Sequence, residues 1–317
     1  MKLVAAALIF ALTSAEAVSA QEPPRVAETV NVGYVVVPFV ARDRSGKPIE
    51  NLRERDVTLF VEGRPVEIDL FARVGDAPVS YTILLDGSGS MELSGKMEGA
   101  RLAIAELLSR HAEGDDYSLY VFAEGEVREV VPFTSRPTEI MTAVNAVKPY
   151  GKTAFFDALA AMPDKSLLGN NGSRAIILLT DGFDNASQMT SDELNELIGG
   201  VDVPVYPMGL RPESAAHPSA RQTTDALLDI DVLRQIASGS GGRLAVVSEP
   251  DSLLAAIQEI QRELRAQYLV GFSPTGRGGS RYRSISLQLP GRARSVHVRA
   301  GYRGTEPPLR SRSSKGK

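Results

Sequence analysis

The sequence predicts an α/β fold: a doubly wound, mostly parallel sheet, with N- and C-terminal β-strands forming a small β domain beside it. Three observations carry this. Short apolar runs alternate with segments of helical periodicity from about residue 79 to residue 264, which is the pattern of a parallel sheet with crossover helices. One run, residues 174–180 (RAIILLT), is apolar enough to be a strand covered on both faces. At both ends of the chain the period falls to two, the mark of strands with one buried face.

Taken in order, residues 34–40 form a nearly continuous apolar strand, closed by the turn cluster Arg42-Asp43-Arg44-Ser45-Gly46-Lys47-Pro48. Val57, Leu59 and Val61 alternate with polar neighbours, Glu62-Gly63-Arg64-Pro65 turns the chain, and Val66, Ile68 and Leu70 alternate again, which predicts a hairpin. Residues 81–85 read as a short buried strand, and Met97, Ala100, Ile104, Leu107 and Leu108 recur at helical spacing. Strands are expected at 117–122, 127–133, 174–180, 203–210 and 243–247, and helices at 137–147, 153–162, 192–198 and 230–237. Ser248 is placed to cap a last helix with Pro250 in its first turn and Leu253, Ile257, Ile260 and Leu264 on one face.

Beyond residue 266 the alternation of strands returns. Ile285, Leu287 and Leu289, then Val296, Val298 and Ala300, are each spaced by polar residues. A lone hairpin is marginally stable. The strands before and after the α/β region are therefore expected to pack into one β domain, with the α/β region inserted in it.

The N-terminus, MKLVAAALIFALTSAEAVSAQ, has one Lys before an apolar run and small residues at Val18-Ser19-Ala20, which predicts a signal peptide cut after Ala20. Its apolar run is too short to span a bilayer, and no later run is long and uninterrupted. The mature protein is thus expected to be exported, to the periplasm or the exterior, with no stable membrane span. The expected organisation is a signal peptide (1–20), an N-terminal β segment (21–76), the α/β domain (77–262), a C-terminal β segment packing with the first (263–305) and a polar, disordered tail (306–317).

Composition excludes several functions. Among 317 residues there is no Cys and there are 3 His, so disulfides, thiolate zinc sites, iron–sulfur clusters and thiol nucleophiles are ruled out. A bound metal should be a hard one held by oxygens. The net charge of −4 gives no sign of nucleic-acid binding. Hydrophobic residues make up 43% and charged residues 23%, as in an ordinary globular chain. His111 continues its helix's apolar register, His217 lies in a polar loop and His297 sits on a polar strand face. The Asp115-Asp116 pair reads as a solvated turn.

The chemistry concentrates at three places. In LLDGSGSM, residues 84–91, an aspartate ends the buried strand, and Ser88 and Ser90 follow on the loop into the next helix. Ligands in parallel sheets bind beyond the carboxyl ends of the strands. The glycines allow a tight turn that brings both hydroxyls to one point. Gly151-Lys152-Thr153-Ala154 opens the helix carrying Asp157, and Ile176-Ile177-Leu178-Leu179-Thr180-Asp181-Gly182 is a second buried strand ending in an aspartate. The candidate set is Asp86, Ser88, Ser90, Thr153 and Asp181: two carboxylates and three hydroxyls, suited to a hard cation and unsuited to zinc or copper. Asp157 and Asp184 are supporting candidates, Asp184 being equally readable as a surface or capping residue. A phosphate-binding reading of Gly151-Lys152-Thr153 fails. The Gly required five residues before the Gly-Lys pair is Ala146, in a helical segment. No G-x-S-x-G occurs, so a serine-hydrolase turn has no support.

D-G-S-G-S-M, G-K-T-A-F-F-D-A-L and L-L-T-D-G-F-D-N together resemble the von Willebrand factor type A domain with an intact metal-ion-dependent adhesion site. All five motif positions match in order, and the resemblance covers roughly residues 77–262. The flanks resemble, more loosely, a bacterial group of exported proteins carrying this domain. The segments are G-x-P-x-x-x-L-x-x-x-D-V from Gly46 to Val57, Y-x-x-G-[FY] from Tyr268 to Phe272, and R-x-G-Y from Arg299 to Tyr302. Lys152 departs from the pattern, standing where the family usually has Gly, and its ammonium is expected to point to solvent.

The resemblance implies a mechanism. Ser88, Ser90 and Thr153 would contact Mg²⁺ or Mn²⁺, with Ca²⁺ the less suited ion. Asp86 and Asp181 would act directly or through water. One coordination position would stay open for a Glu or Asp of a protein partner. This predicts a non-enzymatic, adhesion-type binding module with no small-molecule cofactor and no nucleic-acid partner. The alternatives are an envelope scaffold whose metal is purely structural, and a hydrolase using the same cation. The hydrolase needs a general base that the sequence does not place nearby.

Overall fold

Alternation of faces along each strand governs the architecture. The computed structural model describes residues 35–75, 77–198, 203–211, 230–247, 249–274, 282–289, 291 and 295–303. The signal-peptide, Ser248, His217 and C-terminal-tail readings fall outside these residues.

The central sheet contains β5 (Val79–Asp86), β6 (Asp116–Ala123), β7 (Glu126–Thr134), β8 (Ser173–Thr180), β9 (Val205–Leu210) and β10 (Ala245–Val247), in the order β10-β9-β8-β5-β6-β7. Among the described residues its ladders are parallel except β6–β7. All eight residues of β5 are buried, so its side chains feed two cores. Tyr81, Ile83 and Leu85 pack with α1 (Lys96–Ser109), α2 (Pro137–Ala146) and α7 (Pro250–Arg265). Leu84 packs on the opposite face with α3 (Phe155–Ala160), α4 (Met162–Ser166), α5 (Ser191–Ile198) and α6 (Ile230–Ser240). The sheet is thus mixed, mostly parallel and covered by helices on both faces. Among the described residues no helix is long and apolar enough to cross a membrane.

The flanking strands form two further sheets. β1 (Val35–Arg42), β4 (Leu70–Arg73), β11 (Tyr268–Phe272) and β13 (Ser295–Val298) run in the order β13-β1-β11-β4. β2 (Thr58–Val61), β3 (Arg64–Val66), β12 (Tyr282–Gln288) and β14 (Gly301–Arg303) run in the order β14-β12-β2-β3. Val37, Phe39, Leu59, Val270, Phe272, Ile285 and Leu287 share one apolar cluster between them.

The structure alters several local expectations. The hairpin expected through Leu70 stops at Val66, which pairs with Leu59. The chain then changes sheets, and β4 pairs with β11. Asp69 fixes the crossing: its amide donates to the Gly271 carbonyl at 2.8 Å and its carboxylate accepts from the Ser273 amide at 2.7 Å. Alternation alone cannot say which edge a strand joins, since either leaves the same face buried. The helix expected at 153–162 is two, parted at Ala161, because Pro163 suits a first turn and not an interior. The last helix has Glu249 at its N-cap.

Asp115 and Asp116 form no solvated turn; both are buried. Asp115 accepts from the Val79 and Ala112 amides and from the Arg265 guanidinium. Asp116 accepts from Asn170 and Asn171. Carboxylates this deep persist because each is hydrogen-bonded.

A third buried acid ties α7 to the flanking sheets. Glu263, with a side chain 0% exposed, meets Arg42 of β1 at 2.5 Å, Arg243 at 3.4 Å and His297 of β13 at 3.2 Å. Arg42 also pairs with Glu259 of α7. Burial pushes the Glu263 carboxyl up, but the His297 hydrogen bond and the Arg42 charge outweigh it and hold the group below its ordinary value. His297, placed by its alternation on a polar face, is thus half-buried against an acid.

Candidate metal centre

β5 lies between β6 and β8, and the chain winds outward from it in both directions. Asp86 ends β5, and Asp181 directly follows β8. Leu85 and Leu179 are register partners, so the two aspartates leave neighbouring strands at the same edge. This is the switch point, where the loops of adjacent strands diverge and leave a crevice.

Asp86 is 0% exposed. One carboxylate oxygen accepts from Thr180 Oγ1 at 2.7 Å and the other from the Ser88 amide at 2.9 Å. Burial pushes its carboxyl up to about 6. The hydrogen bonds from Ser88 and Thr180 oppose the shift and the Asp181 charge adds to it. Ser88 is buried, Ser90 half-buried, and their hydroxyl oxygens lie 3.0 Å apart. Between them and β6, Gly87 is needed for close approach: a Cβ there would fall 2.7 Å from Val121 Cγ1.

The second loop is fastened to the first. The Gly89 amide donates to the Gly151 carbonyl at 3.0 Å, and the Tyr150 amide to the Gly87 carbonyl at 2.8 Å. Thr153 is buried. Lys152 is exposed, and its amide donates to Glu124 Oε1 at 3.1 Å. Gly151 has φ +75°, and a Cβ there would fall 2.1 Å from Glu124 Oε1. Gly151→Ala is expected to cost about 1–2 kcal/mol through the left-handed backbone alone. It should also displace Glu124 from the Lys152 amide. A lowered urea midpoint checks this, and an unchanged midpoint counts against it.

The third loop closes the set. The Thr153 amide donates to Asn185 Oδ1 at 2.9 Å and the Thr153 carbonyl accepts from the Asn185 amide at 3.0 Å. Asp181, 5% exposed, accepts on Oδ2 from Lys96 Nζ at 2.6 Å, while its Oδ1 is buried without a hydrogen-bond partner. Asp184 and Asp157 do other work. Asp184 accepts from the Phe156 and Ser187 amides and the Ser187 hydroxyl. Asp157 accepts from the Gln188 and Met189 amides. Both carboxylates hold the loop after Asp181 against α3.

Sequence reasoning missed Thr180, Asn185 and Lys96. Thr180 and Asn185 stand in the same motif segment as Asp181, so proximity was a signal. Lys96 had none, since a lysine opening a helix usually faces solvent.

Two carboxylates and hydroxyls fit a hard cation, and the unpartnered, buried Asp181 Oδ1 is an acceptor such an ion would satisfy. Among the described residues no group of three or more His, Cys, Asp or Glu could hold a metal.

Fold and side chains together define a doubly wound α/β domain with three oxygen-bearing loops fastened together at its switch point. Residues 81–183 match the family model of the von Willebrand factor type A domain. Comparison with curated proteins gives no match. Among solved structures, the chain is similar to the conserved hypothetical protein BatB from Bacteroides thetaiotaomicron (22% identity, 58% of this chain and 98% of that one, TM-score 0.47). It is similar to a von Willebrand factor type A structure from Catenulispora acidiphila (14%, covering 87% and 74%, TM-score 0.49). It also resembles the vWF domain of the type V pili tip protein Mfa5 from Porphyromonas gingivalis (12%, covering 58% and 94%, TM-score 0.42).

Proposed function

We propose that the protein is an exported binding module that captures an acidic side chain of a protein partner through a divalent cation, Mg²⁺ or Mn²⁺. The observation that carries this reading is the fastening of three loops into one crevice, with the Asp86 carboxylate fixed by Thr180 and Ser88 and one Asp181 oxygen unpartnered. Ser88, Ser90 and Thr153 would supply hydroxyls to the ion, and Asp86 and Asp181 would supply charge. When bound, the cation would act as a Lewis acid with a position left for a carboxylate. The chain's own residues contribute rigidity, since each loop is hydrogen-bonded to the next and the donors need little reorganisation.

A hydrolase would need a base beside the cation. Of the described histidines, His111 bonds Tyr117 at the opposite end of the strands and His297 bonds Glu263. Neither lies in the crevice. A scaffold with a structural metal would keep the cation but show no cation-dependent partner.

Calorimetric titration with Mg²⁺, Mn²⁺ and Ca²⁺ tests the reading. Mg²⁺ and Mn²⁺ are expected to bind, and a concentration 100 times Kd should stabilise the fold by about 2.7 kcal/mol. A pull-down with and without EDTA then separates binding module from scaffold. Absence of both heat and thermal shift with every ion removes the cation reading.

A further inference from the structure

We propose that Lys96 sets the charge of this site, lowering its affinity for the cation and raising the cation's attraction for a partner carboxylate. The inference rests on the cation reading above.

Lys96 is the first residue of α1, yet its side chain turns inward and is only 8% exposed. Its ammonium lies 2.6 Å from Asp181 Oδ2. An ammonium at a helix N-terminus sits at the positive end of the helix dipole, which disfavours it. Lysine is rarely buried at all, and burial strips its hydration. A neutral, apolar residue at this position would avoid both costs but would leave the buried Asp181 carboxylate without its hydrogen-bond donor. The ammonium satisfies Asp181, and its charge has a further consequence for the site.

That consequence follows from counting. Asp86 and Asp181 contribute −2, and Lys96 brings the group to −1. A dication held by a −1 site keeps a net positive charge, whereas one held by a −2 site is neutralised. The first binds its ion less tightly and attracts an incoming carboxylate more strongly. Lys96 also occupies Oδ2 of Asp181 and leaves Oδ1 as that residue's available acceptor, so it orients the carboxylate as well.

The test uses the full chain with Lys96→Met, Lys96→Gln and Lys96→Arg. Mg²⁺ affinity is read by calorimetry. Acetate binding to Mn²⁺-loaded protein is read by water-proton relaxation. Met and Gln should tighten Mg²⁺ binding by roughly tenfold or more, because a like charge within a few ångströms is removed. Both should weaken acetate binding, and Arg should keep wild-type behaviour. A lysine that merely supports the fold would predict weaker Mg²⁺ binding and a lower melting temperature instead. Gln retains a hydrogen-bond donor for Asp181, so it keeps the test open should the Met variant not fold. Neutral variants that fold and bind Mg²⁺ no more tightly than wild type overturn the inference while leaving the cation reading intact. No binding by wild type or any variant overturns both.

Discussion

Asp86→Ala is expected to lose Mg²⁺ and Mn²⁺ binding by at least roughly 100-fold, beyond what loss of a supporting residue around a metal costs. The protein should still fold. Asp86 is the point where the crevice is fixed, taking hydrogen bonds from Thr180 Oγ1 and the Ser88 amide on its two oxygens. Removing it leaves two buried donors without their acceptor, a loss of about 1–3 kcal/mol each. Part of that is offset, because the carboxylate is itself strongly desolvated, as its raised pKa of about 6 records. Asp86→Asn, which keeps the shape and one acceptor oxygen, should fold as well as wild type and bind the ion almost as poorly as the alanine variant. Calorimetry together with near-ultraviolet circular dichroism separates loss of site from loss of fold. An alanine variant with native spectra and undiminished Mg²⁺ affinity would falsify the assignment of Asp86.

Glu263→Ala is expected to be the most destabilising single change outside the crevice, at about 3–5 kcal/mol, the range for removing one partner of a buried ion pair. Arg42, Arg243 and His297 all converge on this one carboxylate. Its loss leaves the Arg42 guanidinium short of an acceptor between α7 and β1. Glu259 retains only part of the charge balance, through its own contact with Arg42. Urea unfolding followed at two wavelengths checks the size. A change below about 1 kcal/mol, the usual worth of an exposed pair, would mean that the network is idle.

The same residue sets an acid dependence. Its carboxyl is held below the ordinary value of a glutamate. The stability it contributes is therefore present above that value and is lost as pH falls through its lower folded value. Glu263→Gln should lack this component of the acid limb, which comparison of urea midpoints at neutral and acidic pH would detect.

Much of the fold is legible before any coordinates. The short apolar runs within β5 and β8 read as strands covered on both faces, and period-3.6 segments between strands read as crossovers. These two features place Asp86 and Asp181 at strand ends without further information. Other features are not local. Val66, Ile68 and Leu70 alternate without a break, yet the chain changes sheets between Val66 and Leu70 because β11 offers a pairing edge 200 residues away in sequence terms. The Asp115-Asp116 pair looks like a turn, and its burial depends on Arg265 and Asn170 arriving from elsewhere.

The sequence by itself determined most of the order of strands and helices, the hydroxyl and carboxylate character of the candidate site and the absence of thiol chemistry, because periodicity and residue type are local properties. Only the tertiary structure decided which loops are fastened together, that Asp157 and Asp184 brace a loop, and that a lysine lies inside the crevice against Asp181. The physical reason is that hydrogen bonds, burial and charge pairing link residues far apart in the chain, and their energies depend on positions that only packing fixes.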